Sequence, residues 1–333
     1  AALLSSAALA GGLQNGWKSF RDPTIQDYGY EWAKVGHAGN ADWVSQSDPF
    51  HTVRTGGVDY RYRIAKTEVT NRQWFEFVQA YAPYVSPQFS GSSQFTGLGV
   101  GLSGGGGYSL AQETAEHGAE VGWRFAARYT NWLHNRKVNE AWAFESGVYD
   151  TSTFGTVGIP ATEQRERSEG ARFFLPTRDE WAKAVHFDPD RYGEGQEGYW
   201  LYTYSSDTAP VPGAPGVPEA QTNRGAGFTV PIMSYPDMQT PWGLYDASGS
   251  VLEWLETISG NSTGRLAESS NRLTPAGANT DHIFLTTGGS PTVLIGIRLA
   301  SVIPAPGAAF AIALSAAVSG ARRRRAARLF QTT

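Results

Sequence analysis

The residues that could ligate or attack set the first limits on chemistry. The six histidines, His37, His51, His117, His134, His186 and His282, include no H-x-x-x-H or H-x-H pair, so helix or strand spacing presets no two of them for one metal ion. A solvated or hydrogen-bonded imidazole is expected for each. Cysteine is absent, which removes disulfides, thiolate metal sites, iron–sulfur clusters and cysteine nucleophiles together. Gly260-Asn261-Ser262-Thr263-Gly264 matches the G-x-S-x-G pattern of a nucleophilic serine, with Asp281-His282 downstream. That chemistry needs a buried strand before the serine and a helix after it. The polar RLAESSNR that follows reads as a surface loop instead, so serine hydrolysis is not expected. The stretch GLGVGLSGGGG, residues 97–107, has glycines that could cradle phosphate, but no apolar strand precedes it and no Lys-Ser/Thr follows. It reads as a mobile surface loop.

Composition sets the class of partner. Lys and Arg number 27 and Asp and Glu 31, for a net charge of −4 and a pI near 5.9. General nucleic-acid binding is driven by phosphate neutralisation, so no nucleic-acid partner is expected. Charged residues are 17% of the chain, against roughly 25% in typical domains, while aromatics reach 13% with 11 Trp beside 39 Gly. A hydrophobic share of 41% allows a sizeable core under a surface that is polar and glycine-rich rather than charged.

The elements that must position any site follow from periodicity. Val58, Tyr60, Tyr62 and Ile64 alternate with Asp59, Arg61 and Arg63, the period of a half-buried strand. Thr70-Asn71-Arg72-Gln73 then reads as a capping box, followed by Trp74, Phe77, Val78 and Tyr81 on one helical face and by Pro83 as a stop. A second helix is expected through residues 121–137, VGWRFAARYTNWLHNRK, with Phe125, Tyr129, Trp132 and Leu133 facing inward. A third starts at Thr177-Arg178-Asp179-Glu180, another capping box, and buries Trp181, Ala184 and Val185. The Pro- and Gly-rich residues 207–220 read as a loop, because patterned sequence resumes beyond them.

The two ends carry a different grammar. AALLSSAALAGG looks like the apolar stretch of a secretory signal peptide, with an A-x-A cleavage site at Ala8-Leu9-Ala10. At the other end Pro304-Ala305-Pro306 precedes an apolar run from Gly307 to Ala321 and four arginines, Arg322 to Arg325. About 15 helical residues reach about 22 Å, short of the roughly 30 Å hydrocarbon core. Arginines held on the cytoplasmic side place the body of the protein outside the inner membrane. This three-part tail resembles the PEP-CTERM sorting signal of Gram-negative bacteria, which an exosortase cuts, with Ala305 where that motif has Glu. The resemblance implies an exported protein of the cell envelope or extracellular space, a sorting protease as partner, and transient inner-membrane contact through the tail.

Between the ends, four blocks occur in order: YRIAKTEVTNRQW (62–74), VGWRFAARYTNWLHN (121–135), FFLPTRDEWAKAV (173–185) and PWGLYDASGSVLEW (241–254). With TTGGS (286–290) and GIRLA (296–300) after them, they resemble the formylglycine-generating-enzyme, or sulfatase-modifying-factor, family. The ESGVYD (145–150) and YSSDTAP (204–210) blocks further resemble its secreted branch with PEP-CTERM tails. The resemblance implies an α+β fold, a single loop-rich C-type-lectin-like domain with short strands and helices, in which Trp74, Trp132, Trp181 and Trp254 are core residues.

The family's chemistry depends on ligands that these residues lack or alter. Its generating enzymes oxidise a substrate cysteine with copper held by a cysteine pair, since soft thiolates select Cu(I). The pair lies between the GGS block and the last strand, where here Ser290 is followed by Pro291 to Ile295 and then Gly296-Ile297-Arg298. No copper site is expected. Iron-dependent branches draw their histidines largely from a separate helical domain, and none fits in this length. The family also wraps a calcium ion in a G-N-V-W-E-W block, with hard oxygen ligands; the matching positions are Ser250, Val251 and Glu253. Serine is a shorter, weaker ligand than asparagine, so the resemblance implies a weakened calcium site.

The expected organisation is a signal remnant at 1–16, an N-terminal extension at 17–50, the family domain at 51–300 and the sorting tail at 301–333. The expected function is an exported, surface-sorted member without formylglycine-generating activity, acting as a binding or matrix-associated module for a surface ligand such as a polysaccharide. The alternative is a metal-dependent oxidoreductase that places a non-cysteine site on the same scaffold.

Overall fold

The tyrosine-rich alternation marks the middle of a sheet, and the strand it forms is shorter than its pattern. In the computed structural model, which describes residues 25–45, 53–155, 162–258, 264–274, 285–286 and 295–303, four short strands come first: β1 (Trp32–Val35), β2 (Trp43–Ser45), β3 (Val53–Thr55) and β4 (Tyr62–Ala65). β4 is the central strand of an antiparallel sheet ordered β1-β4-β12, where β12 is Ala300–Val302. Residues 58–61 keep the burial alternation, Val58 buried and Asp59 exposed, but their backbone is spent elsewhere. The Val58 carbonyl accepts from Gly39 N at 2.9 Å and from Lys183 Nζ at 3.2 Å. β1 comes from the segment that sequence reading sets apart as an extension. It carries buried Ala33 and Val35 and pairs Trp32 with Ala65 and Val35 with Tyr62, so residues from Asp27 to Val302 form one unit.

Both capping boxes are present. Helix α1 (Asn71–Tyr81) starts where Thr70 Oγ1 accepts from Gln73 N at 3.2 Å and Gln73 Oε1 accepts from Thr70 N at 2.9 Å. The first orphan amides are thereby satisfied. A one-turn helix α2 (Ser93–Thr96) follows, and then β5 (Val100–Leu102) and β6 (Tyr108–Leu110). These two strands pair antiparallel, Val100 with Leu110, so the glycine-rich stretch is a hairpin rather than an unstructured loop. Gly105 and Gly106 turn it at φ 93° and 86°, backbone that side-chain-bearing residues rarely adopt.

Helix α3 (Trp123–His134) buries Phe125, Tyr129, Trp132 and Leu133. It stops short of residue 137 because Arg136 and Lys137 take left-handed φ values of 61° and 56°. With α1 and the short α4 (Ala141–Glu145) it encloses an aromatic core. The Phe77 ring lies 4.7 Å from Trp74, 5.5 Å from Tyr129 and 6.0 Å from Trp132 and Phe144, centroid to centroid.

Helix α5 (Arg178–His186) has Asp179 and Glu180 in its first turn and Lys183 in its last, charges that match the helix dipole at each end. A small hairpin, β7 (Phe187–Asp188) with β8 (Gly198–Tyr199), follows. The second sheet is ordered β11-β10-β9, from β9 (Glu253–Ile258), β10 (Arg265–Glu268) and β11 (Leu285–Thr286). The polar RLAE segment is therefore a strand, not a surface loop, and all four of its residues are buried. Its charges are individually met: Arg178 Nε donates to Glu268 Oε1 at 2.6 Å, and the Arg265 guanidinium lies 3.8 Å over the Trp123 ring. A strand on each side of the G-x-S-x-G segment does not supply the helix that a nucleophile turn requires. Ser262, Asp281, His282, Ser290, the first 24 residues and the tail from Pro304 onward lie outside the described residues. Among the described residues no helix is long and apolar enough to cross a membrane.

Candidate functional site

Three elements converge on one open cleft: the loop before β4, the N-terminus of α5, and β9. It holds about 640 Å³ between Asp59 and Tyr60, the run Arg165–Ala171, Thr177 and Asp179, and Glu256–Ile258. Its floor is built by a single capping box doing two jobs. Glu180 Oε2 accepts from Thr177 N at 2.7 Å to close the helix start, while Oε1 accepts from Tyr60 Oη at 2.6 Å and from Arg167 Nη2 at 2.8 Å. Arg167 also reaches Glu256 Oε1 through Nη1 at 3.1 Å and lies 3.7 Å over the Phe174 ring. Glu256 Oε2 accepts from Tyr149 Oη at 2.8 Å and from Arg167 N at 3.0 Å. At the rim, Asp179 Oδ1 accepts from Thr55 Oγ1 at 2.8 Å and Gly56 N at 3.0 Å.

The electrostatics follow from burial. Glu256 is pushed up to about 7, first by burial, with the Arg167 guanidinium pulling the other way. Burial also works against the charged form of Arg167, but Glu180 and Glu256 more than offset it and keep the guanidinium protonated. Burial and the Glu180 carboxylate raise the Tyr60 hydroxyl, so it stays a donor. Acidic groups predominate around the cleft, with Asp59, Glu166, Glu169, Asp179 and Glu256 against Arg165 and Arg167.

The positions the family resemblance points to sit deeper. Ser250 and Val251 lie just before β9 and Glu253 opens it, and all three are buried. The Ser250 amide donates to Asn223 Oδ1 at 2.8 Å and its Oγ accepts from Asn223 Nδ2 at 3.2 Å. Arg298 engages both oxygens of Glu253, Nε at 3.0 and 2.9 Å and Nη2 at 2.7 Å, and Trp181 Nε1 donates to Oε2 at 2.6 Å. The remaining Arg298 donors go to the carbonyls of Ala65, Lys66 and Tyr245. A calcium ion here would have to share Glu253 with a guanidinium that already neutralises it.

The described histidines go to separate partners. His37 Nε2 is 2.7 Å from Glu197, His117 Nδ1 is 2.8 Å from Thr229 Oγ1, and His134 Nδ1 accepts from Arg172 N at 3.1 Å. His186 Nδ1 lies 2.9 Å from the Trp200 carbonyl oxygen, and burial pushes its imidazole down to about 4. His51 and His282 lie outside the described residues. Among the described residues no three His, Asp or Glu side chains gather as metal ligands.

Sequence reasoning missed the cleft. The run Arg165-Glu166-Arg167-Ser168-Glu169 has the look of a solvated charged loop, and nothing local shows that Arg167 turns inward between two carboxylates. The available signal was Glu180: a capping-box carboxylate has a second oxygen free for another donor.

The family model described as sulfatase-modifying factor enzyme 1-like domain matches residues 25–299. Comparison with curated proteins returns no match. Among solved structures, CarF aligns at 18% identity and a TM-score of 0.45, covering 83% of this chain and 100% of its own. Treponema denticola variable protein 1 aligns at 17% and 0.44, covering 83% and 95%. PvdO from Pseudomonas aeruginosa aligns at 15% and 0.41, covering 82% and 92%.

Proposed function

The chain belongs to the sulfatase-modifying factor enzyme 1-like family, and from that premise we propose that it is a non-catalytic, exported member that binds a surface ligand in the Arg167 cleft. The fold is the family's single loop-rich α+β, C-type-lectin-like domain. The observation that carries the reading is the absence of cysteine from all 333 residues. Without thiolates the copper-dependent oxidation of a substrate cysteine has no metal holder, while the scaffold and a wide polar cleft are retained. The cleft supports binding because its floor is pre-organised: Arg167, Tyr60, Glu180 and Glu256 hold one another in place before any ligand arrives, which lowers the ordering cost of association. Its acidic excess favours neutral or cationic ligands over polyanions, so a neutral polysaccharide of the cell envelope fits better than nucleic acid. Export and sorting rest on the signal-like start and the Pro304–Arg325 tail.

The test is direct. Purified protein should retain neutral envelope polysaccharide in affinity electrophoresis, and Asp59→Asn with Glu169→Gln at the rim should weaken retention. The same protein with added copper should leave a cysteine-containing sulfatase peptide unchanged by mass spectrometry. Aldehyde product above a no-enzyme control would overturn the non-catalytic reading. Calcium at Ser250, Val251 and Glu253 belongs to the same proposal, and a chelator that leaves the melting temperature unchanged would remove it.

A further inference from the structure

A second, smaller cavity opens away from the Arg167 cleft and shares no lining residue with it. It holds about 360 Å³, within the roughly 300–1,000 Å³ range of small-molecule sites. Its floor is the segment from Thr114 to Glu120, whose backbone is fixed on two sides. The His117 carbonyl accepts from Asn71 N at 2.9 Å, Ala119 N donates to Val69 O at 2.8 Å, and the Glu116 carbonyl accepts from Ile232 N at 2.8 Å. A rigid platform of this kind keeps its side chains aimed.

Glu120 is 8% exposed and lines the cavity. Arg272 Nη1 holds its Oε1 at 2.9 Å, while Oε2 takes no hydrogen bond among the described residues. A carboxylate oxygen on a side chain this buried, at the wall of a cavity, is available to a donor from outside the chain. Arg272 is itself anchored, with Nη1 donating to the Ser250 carbonyl at 3.2 Å. His117 stands across the floor, its Nδ1 on Thr229 and its Nε2 without a partner among the described residues. Burial lowers its pKa, which favours the neutral ring that can donate or accept. Above the floor, Leu98 and Phe228 are 60% and 41% exposed and line the rim.

We propose that this cavity is a binding site for a neutral saccharide unit, read through a pair of adjacent hydroxyls. One hydroxyl donates to Glu120 Oε2 and its neighbour accepts from the Arg272 guanidinium, while the C–H face of the sugar ring packs on Phe228. The paired charges of Glu120 and Arg272 cancel, so a free anion meets Glu120 unfavourably and an amine meets Arg272 unfavourably. A diol offers the donor and the acceptor at once. The site goes beyond the cleft reading, since either can hold without the other.

Titration calorimetry of the full chain with glucose, mannose, galactose and their disaccharides tests it. At least one of these sugars should give saturable heat, and its 2-deoxy analogue should bind more weakly. Glu120→Gln and Phe228→Ala should each weaken binding roughly tenfold, the loss expected when a buried hydrogen bond or its ring contact goes. Glu194→Gln, on the exposed turn between β7 and β8 and lining neither cavity, should leave it unchanged. If Glu120→Gln does not fold, Phe228→Ala decides, because that ring is partly exposed and its loss leaves the core intact. No saturable heat with any sugar, or binding indifferent to Phe228→Ala, overturns the proposal, as does inorganic phosphate or spermidine displacing the sugar. Polysaccharide retention lost in the rim variants with monosaccharide binding intact would separate failure of the Arg167 cleft from failure of this site.

Discussion

Arg298 and Glu253 face each other with neither side chain exposed to water. Desolvating two ions is costly, and the pair persists because each Arg298 nitrogen and both Glu253 oxygens have partners. Removing one partner leaves the other charge buried alone, so Arg298→Met should destabilise the domain by about 3–5 kcal/mol in urea titrations. The double variant Arg298→Met with Glu253→Leu should recover part of that loss. Glu256 makes the opposite kind of prediction, one about pH. Its folded pKa, about 7, lies above its unfolded value near 4.5, so between those values the native state binds more protons than the unfolded state. Stability therefore falls as pH rises from about 4.5 to about 7 and is level above that. His186, pushed down to about 4, works in the other direction between about 4 and about 6.5. Comparing wild type with Glu256→Gln isolates the glutamate. The variant should lose the downward component, on the order of 2–3 kcal/mol, when stability is measured by denaturation at pH 5 and pH 7.5.

At the scale of elements, α5 ties local sequence to the cleft. Thr177 Oγ1 accepts from Glu180 N at 3.1 Å, and the returning Glu180 side chain carries Tyr60 and Arg167. Thr177→Ala should cost about 1 kcal/mol as an N-cap loss, read from the shift in denaturation midpoint. It should also loosen Glu180 and weaken polysaccharide retention, whereas Thr70→Ala, capping α1 away from the cleft, should cost similar stability without touching retention. Equal effects on retention would mean that Glu180 does not depend on its cap. The capping boxes and the inward faces of α1, α3 and α5 were legible in the sequence because helix signals are local and repeat every three or four residues. β10 was not, since Arg265 and Glu268 in a row of four look solvated until Trp123 and Arg178 arrive from segments 142 and 90 positions away.

For the whole molecule, the net charge of −4 and the acidic cleft point away from polyanions, and the strongly basic segment is the run Arg322–Arg325. The export proposal is decided there. Arginines next to a short apolar run should hold it at the cytoplasmic face, so replacing all four with Gln should shift protein from the membrane fraction to the soluble periplasmic or secreted fraction, with the tail uncut. Cell fractionation with intact-mass measurement checks this, and an unchanged distribution would sink the sorting reading.

Sequence by itself determined the family and the lack of thiolate ligands in these 333 residues. Zero cysteine excludes thiolate copper whatever the fold, and six ordered blocks identify a scaffold because their spacing survives without any knowledge of contacts. Local rules also placed Thr70 and Thr177, whose capping partners lie three residues on, whereas the core tryptophans are fixed by distant partners, Phe95 for Trp74 and Glu253 for Trp181. Tertiary structure alone decided where the charges went. Arg167 meets Glu256 across 89 positions and Arg298 meets Glu253 across 45, and Glu120 faces a cavity that Arg272 helps to wall. A charged residue has no periodic signature that distinguishes water from a buried partner, so only the folded chain could show which of them build a site.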